Sequence, residues 1–440
     1  MEQKTNGLAL LPLALFLVLF IGTGSILSFT GVKMAFYELS PAVAILPALA
    51  LALIMGHGGL SKKINIMLAG AGEINIITMC VIYLLAGGFA SVAKAIGGVD
   101  ATVNLGLSLI PAEFILPGLF LIAAFVSTAM GTSMGTIAAV GPIAVGIGQQ
   151  TDIGLAMLMG SVVGGAMFGD NLSMISDTTI AATRTQGCEM GDKFRMNLLI
   201  ALPAAVGATL LFWLMGDSGQ AARVGAWEMA RVLPYVVILA MALAGMNVFV
   251  VLFTGIVLAG GVGVAVVPGY SVLQWAKDIY AGFSGMHEIL VLSMLMGGLG
   301  ELIRYQGGLA WLLERIGRMT SDRRDGRTRR LGEAGISLLV SLANLCTANN
   351  TVAIILTGGM ARGLAETNGV DPRRSASMLD IFSCVVQGLI PYGAQVLLAG
   401  SIAGISPVDV SLSNMYCYLL CVAALASIAL GLPKGGRKVA

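Results

Sequence analysis

The sequence predicts an all-α polytopic membrane protein, and three observations carry that prediction. Of 440 residues, 57% are hydrophobic and 11% are charged, against roughly 25% charged in a soluble protein. The apolar residues gather into stretches of about the 20 residues that a spanning helix needs. The polar residues that interrupt these stretches are concentrated at four places. Such a composition excludes a soluble or structural protein. The net charge of +2 is no nucleic-acid signature, because loops between spans account for the basic residues.

Spanning helices are expected over 8–30, 41–56, 74–96, 153–183, 196–215, 229–245, 247–267, 286–304, 375–405 and 412–431. The first follows a single Lys, and no clean small-residue cleavage site succeeds it, so it reads as a membrane helix rather than a signal peptide. Two further apolar stretches, 112–150 and 331–367, are broken in the middle by Gly131-Thr132-Ser133-Met134-Gly135-Thr136 and by Cys346-Thr347-Ala348-Asn349-Asn350-Thr351. The cysteines form no CxxC pair, and His57 and His287 lie far apart. No metal site or cofactor is therefore expected.

Charge sets the expected topology. Arg304, Arg315, Arg318, Arg323, Arg324, Arg327, Arg329 and Arg330 crowd one segment, which the positive-inside rule places in the cytoplasm. Arg373 and Arg374 follow the second broken stretch, so 331–367 leaves the cytoplasm and returns as a re-entrant hairpin. No Lys or Arg occurs between Lys94 and Arg184, which lets 112–150 form a second hairpin entering from outside. Ten spans and two hairpins then put both termini inside. Of the 25 basic residues, only Lys33, Lys94, Arg223, Arg231 and Lys277 fall outside. The expected location is the inner (cytoplasmic) membrane, multi-pass, with the lipid bilayer as partner.

Weak internal matches support the same layout. Ala86-Gly87-Gly88 resembles Met296-Gly297-Gly298, Thr132 and Thr136 pair with Thr347 and Thr351, and Ile175 pairs with Ile390. The chain divides into halves 1–215 and 216–440, each with a hairpin and a broken helix, 153–183 and 375–405. Five spans per half make the halves inverted. Inverted repeats whose interrupted helices meet at mid-membrane characterise secondary transporters. A channel suits this layout less well, and no nucleophile–base pair suggests an enzyme.

The stretch Gly169-Asp170-Asn171-Leu172-Ser173-Met174-Ile175-Ser176-Asp177-Thr178-Thr179 interrupts the apolar run Ile153 to Ala182. Carboxylates at membrane depth cost roughly 2.5–3.5 kcal/mol on insertion scales and are usually functional. Desolvation raises a carboxyl's proton affinity and a bound cation lowers it, so such a group exchanges H⁺ for Na⁺. Asp170 and Asp177 are the candidate coupling groups, with helix capping as the plain alternative for Asp177. Unwound backbone and side-chain oxygens complete a hard-cation and substrate site. The candidates are Thr132, Ser133 and Thr136 at the first tip, and Asn171, Ser173, Ser176 and Thr178 at the first break. Thr347, Asn349, Asn350 and Thr351 supply the second tip, and Gln387, Tyr392 and Gln395 the second break. For each hydroxyl, bonding back to its own helix is an equal alternative. Asp380 is a further candidate for a proton path. Glu73 and Glu288 read as interfacial, His57 as a loop residue, and 309–320 as an amphipathic interfacial helix.

The 169–179 run resembles the NhaC-type Na⁺/H⁺ antiporter family of the ion transporter superfamily. Members typically carry a GDKxSPxSDTT-like run, which Gly169, Asp170, Ser173, Ser176, Asp177, Thr178 and Thr179 match. Asn171 replaces the usual Lys and Met174 the usual Pro. The continuation Ile180-Ala181-Ala182-Thr183-Arg184-Thr185-Gln186-Gly187 looks like the amino-acid (histidine-permease-like) branch. The resemblance implies an elevator-like or rocking transport domain in a homodimer. Loss of the Lys implies net negative charge at the site, open to a cation or a substrate ammonium. Together, residues and resemblance lead to a secondary transporter coupled to Na⁺ and/or H⁺. Uptake of a small amino acid is the first expectation and Na⁺/H⁺ antiport without an organic substrate the second.

Overall fold

The computed structural model describes residues 5–30, 38–109, 111–216, 225–320 and 328–433. Among them all regular structure is helical, with no strand. Both chain termini lie outside the described residues, as do Lys4, Lys33, Arg223, Arg323, Arg324, Arg327, Lys434, Arg437 and Lys438, which entered the orientation argument.

The helices are α1 (Gly7–Leu27), α2 (Pro41–Ile54), α3 (Leu60–Ala71), α4 (Ile74–Ala95) and α5 (Gly98–Leu109). The first hairpin is α6 (Ile115–Met130) and α7 (Ser133–Gln150). The first broken helix is α8 (Leu155–Leu172) and α9 (Asp177–Gln186), followed by α10 (Met190–Met215). Next come α11 (Met229–Leu243), α12 (Val248–Val266), α13 (Val272–Gly285), α14 (His287–Tyr305) and α15 (Gly308–Thr320). The second hairpin is α16 (Thr328–Thr347) and α17 (Asn350–Asn368). The second broken helix is α18 (Pro372–Leu389) and α19 (Ala394–Ala403), followed by α20 (Pro407–Leu412) and α21 (Met415–Leu430).

Each of the ten expected spans falls on helix. Six are long and apolar enough to cross a membrane: Gly7–Leu27, Ile74–Ala95, Leu155–Gln186, Met190–Met215, Val248–Val266 and Pro372–Ala403. Of the others, α2, α11 and α21 are shorter apolar helices, and α14 passes only together with α13, bent by 42° against it. Helices α3, α5 and α13 went unmarked in the sequence because charges such as Lys62, Lys63, Asp100 and Lys277 interrupt their apolar runs.

Close backbone approach fixes the helices beside the hairpins. A Cβ on Gly87 would stand 2.4 Å from the Gly282 carbonyl oxygen, and one on Gly70 would stand 2.5 Å from that of Gly297. These contacts bring the backbone of α4 onto that of α13 and α3 onto α14, the small-residue mode of helix association in membranes.

Element bounds recur along the chain with a constant spacing. Ser133 to Asn350, Leu155 to Pro372, Leu172 to Leu389, Asp177 to Ala394 and Gln186 to Ala403 are each 217 positions apart. Backbone specials follow the same spacing: Gly131 (φ 73°) corresponds to Ala348 (φ 51°), and Gly187 (φ 70°) to Gly404 (φ 65°). This differs from the spacing of 215 that the Thr132/Thr347 and Ile175/Ile390 identities give. At the tips, chemical role rather than residue identity is what corresponds. Thr132 caps α7 by accepting from the Gly135 amide, and Asn349 caps α17 by accepting from the Val352 amide at 3.0 Å. Either side chain can satisfy a first-turn N–H.

Several loop residues have definite partners. Lys63, 3% exposed, turns its Nζ to the carbonyls of Leu53 (3.0 Å) and Met55 (2.7 Å), satisfying the C-terminal end of α2. Glu73 caps α4 by accepting the Asn75 amide at 2.8 Å, and Glu288 accepts the Ser40 hydroxyl at 2.5 Å. A buried guanidinium, Arg374, joins α18 to Glu333 of α16 (3.1 Å) and to Ser427 of α21 (2.6 Å). The six cysteines are free.

Candidate functional site

The first break is the four-residue gap Ser173–Ser176 between α8 and α9. Its own hydroxyls hold it together. Ser176 caps α9, accepting from the Thr179 amide at 3.3 Å, and its hydroxyl donates to the Asp170 carbonyl at 3.2 Å. Thr179 donates to the Ser173 carbonyl at 2.7 Å. Capping therefore belongs to Ser176, not Asp177. Asp177 is the exposed first residue of α9, where a negative charge suits the helix dipole.

Asp170 lies in the last turn of α8, 4% exposed. Its Oδ1 accepts from the Ser133 amide at 3.1 Å and its Oδ2 from the Ser133 hydroxyl at 2.5 Å. The carboxylate thus sits on the N-terminus of α7, in the first tip. The network continues across the molecule. Gln395 Nε2, at the start of α19, donates to Ser133 Oγ at 3.0 Å. Gln387 Nε2 donates to Gln395 Oε1 at 2.8 Å and to the Ala348 carbonyl at 3.0 Å. Hydrogen bonds therefore join first break, first tip, second break and second tip in one chain.

A polar cleft opens beside it. Of the expected site residues, Thr132, Ser133, Asp170, Asp177, Thr178, Asn349, Asn350, Thr351 and Gln395 line this cleft. The remaining candidates stand behind it or bond to backbone. Thr136 donates to the Thr132 carbonyl (3.0 Å) and Thr347 to that of Ala343 (3.0 Å), both back-bonding within their helices. Tyr392 donates to the Leu345 carbonyl at 2.9 Å, and Asn171 Nδ2 to the Met167 carbonyl (2.9 Å) and the Tyr416 hydroxyl (3.1 Å). Ser173, Ser176 and Gln387 hold the breaks in shape.

Two contributions were not anticipated. Asn75 and Thr78 of α4 line the cleft together with Met79 and Ile82. Their spacing of three puts Asn75 and Thr78 on one helix face, a signal that was readable but went unused. The second is Lys193 of α10. Its fully buried Nζ pairs with Asp380 Oδ2 at 2.9 Å and donates to Thr179 Oγ (2.7 Å) and the Asn171 carbonyl (2.9 Å). Asn197, one turn on, donates to the Asn171 carbonyl (2.9 Å) and to Asp380 Oδ2 (2.7 Å). The first break thus has a lysine after all. It comes from the next helix, not from position 171, and its charge is matched by Asp380 of the second broken helix. Because Asp380 takes up that charge, Lys193 does not offset Asp170 and Asp177.

Residues 3–216 match the Na⁺/H⁺ antiporter family. Relatives extend the likeness over most of the chain. The malate-2H⁺/Na⁺-lactate antiporter of Bacillus subtilis is 25% identical over 428 residues, covering 89% of each chain. The Na⁺/H⁺ antiporter NhaC of the same organism is 25% identical, covering 77% of this chain and 80% of its own. These matches support an NhaC-type antiporter. A further relative, the arginine/ornithine antiporter ArcD of Halobacterium salinarum, is 23% identical over 78% of this chain and 75% of its own. In this chain the 169–179 run that carried the resemblance is the break built around Asp170 and Ser176.

Proposed function

We propose that the chain is a cation-coupled antiporter that works by alternating access. It exchanges Na⁺ and/or H⁺ and carries a small organic substrate, with a small amino acid as the first choice. One observation carries this: two hairpin tips and the first break converge on a polar cleft holding Asp170 and Asp177. Asp170, bonded to Ser133, is the coupling group. Asp177, exposed at the same cleft, attracts the incoming cation. The constant spacing of helix bounds supports two repeats, 1–215 and 216–440, and the basic residues support inverted topology with both termini on the cytoplasmic side of the inner membrane. Ten spans, two re-entrant hairpins and a homodimer complete the reading. The similarity to an organic-acid antiporter and to an amino-acid antiporter favours an organic substrate and exchange over uptake alone.

The test uses purified protein in proteoliposomes. Labelled amino acids and hydroxy acids are expected to move in response to an imposed Na⁺ or pH gradient. The second reading, Na⁺/H⁺ exchange without an organic substrate, is favoured by the similarity to the Bacillus NhaC protein. It wins if added Na⁺ collapses an imposed pH gradient while no member of the panel is transported. Absence of any gradient-driven flux overturns both.

A further inference from the structure

At the first hairpin tip, a carboxylate of the chain itself occupies the start of a helix. Asp170 accepts both the amide and the hydroxyl of Ser133, the first residue of α7. At the constant spacing of 217, Ser133 corresponds to Asn350, the first residue of α17, and Asp170 corresponds to Gln387. The second tip is completed differently. Gln387 turns to the Ala348 carbonyl and to Gln395 instead. Asn350 is 6% exposed and lines the cleft, and its Nδ2 has no hydrogen-bond acceptor among the described residues. Its Oδ1 is engaged by the Thr351 amide at 3.0 Å, which fixes the side chain with its two N–H groups free to donate.

A buried donor without an acceptor carries a desolvation cost that an incoming acceptor removes. Here that donor sits at the start of a 19-residue helix, whose end carries partial positive charge and favours an anion. Thr351 adds a hydroxyl to the same wall of the cleft, and no Lys or Arg lines that cleft among the described residues. An anion bound there is held by dipoles and neutral donors, the arrangement Asp170 already has at the first tip.

We infer that the start of α17 is a carboxylate subsite, with Asn350 Nδ2, Thr351 Oγ and the helix end as donors. It receives the carboxylate of the transported substrate in the position that Asp170 takes at the other tip. This rests on the proposal above that an organic substrate is carried. Asp177, exposed at the same cleft, offers a counter-charge to an ammonium group. An α-amino acid satisfies both ends, a hydroxy acid only the first.

Thermal unfolding of the purified full-length protein tests this with alanine, lactate and alaninamide at equal concentrations. Alanine and lactate are expected to raise the melting temperature of the wild type, and alaninamide, which lacks the carboxylate, to raise it less. Asn350→Asp places a fixed carboxylate at the subsite and is expected to abolish both shifts. Asn350→Ala removes the donor without adding charge. It is expected to weaken both carboxylates about tenfold, ~1.4 kcal/mol, with ligand-free melting and elution unchanged. Wild-type shifts that both variants keep, or alaninamide acting as strongly as alanine, overturn the subsite and leave the organic-substrate reading standing. A wild type that none of the carboxylates stabilises, and that transports none of them, overturns both.

Discussion

Lys193 of α10 and Asp380 of α18 form an ion pair of 2.9 Å in which both side chains are wholly buried. Asn197 also donates to Asp380, and Lys193 to the Thr179 hydroxyl. The pair ties the first break to the second broken helix at a fully buried point.

Removing one member of this pair leaves an uncompensated charge, at a cost of about 3–5 kcal/mol. Lys193→Met and Asp380→Leu are each expected to lower the melting temperature strongly. The double variant is expected to recover much of that loss, since two apolar side chains leave no buried charge. A double-mutant cycle on melting temperatures measures the coupling. Additive losses would show that the two groups do not act as a pair.

Asp170→Asn and Asp177→Asn separate the two candidate coupling carboxylates. Asn at position 170 keeps an acceptor for the Ser133 amide, so the fold is expected to survive while Na⁺-dependent collapse of a pH gradient falls at least 100-fold. Asp177 is exposed, so its neutralisation is expected to leave stability within roughly 0.5 kcal/mol, as for other surface changes, and to raise the half-saturating Na⁺ concentration. Everted-vesicle assays at several Na⁺ concentrations read both. If Asp170→Asn couples normally, the assignment of Asp170 fails.

Gln395 links Ser133 to Gln387. Gln395→Leu strands the Gln387 donor and is expected to cost about 1–3 kcal/mol. Adding Gln387→Leu removes the stranded group, so the double variant is expected to lose less than the two single losses combined. Thermal melts of the three proteins decide it, and full additivity would count against the bridge.

Ala348 holds φ at 51°, where a Cβ is disfavoured by roughly 1–2 kcal/mol. Its counterpart at the first tip is Gly131. Ala348→Gly is expected to stabilise the protein by up to about 1 kcal/mol, read as a higher melting temperature. Destabilisation would mean that packing of the Ala348 methyl outweighs the backbone term.

The all-helical fold and the four breaks were legible because a polar cluster in an apolar run is conspicuous against the cost of burying it. Asp170, Ser133, Asn349 and Asn350 were found that way. Lys193 was not, because on the sequence it is one more basic residue after a span, and only folding brings it to Asp380. Lys63 was read as a loop charge for the same reason, although it folds back onto the end of α2. The spacing of the two tips was misread by two residues because identical threonines were matched. Helix capping depends on what a side chain can accept, so Thr132 answers to Asn349. Thr136 and Thr347 take the alternative left open for each hydroxyl, bonding back to their own helices.

The hydrogen bonds from Ala348 to Asp170 have a direction. Gln387 gives to Gln395, Gln395 to Ser133, and Ser133 to the Asp170 carboxylate, while the second N–H of Gln387 goes to the Ala348 carbonyl. That order suits a carboxylate, which only accepts. A protonated Asp170 can instead give to Ser133, and if both amides then turn over, each bond is kept while the Ala348 carbonyl loses its donor. The chain thus gives a proton at one hairpin tip a hydrogen-bonded route to the backbone of the other.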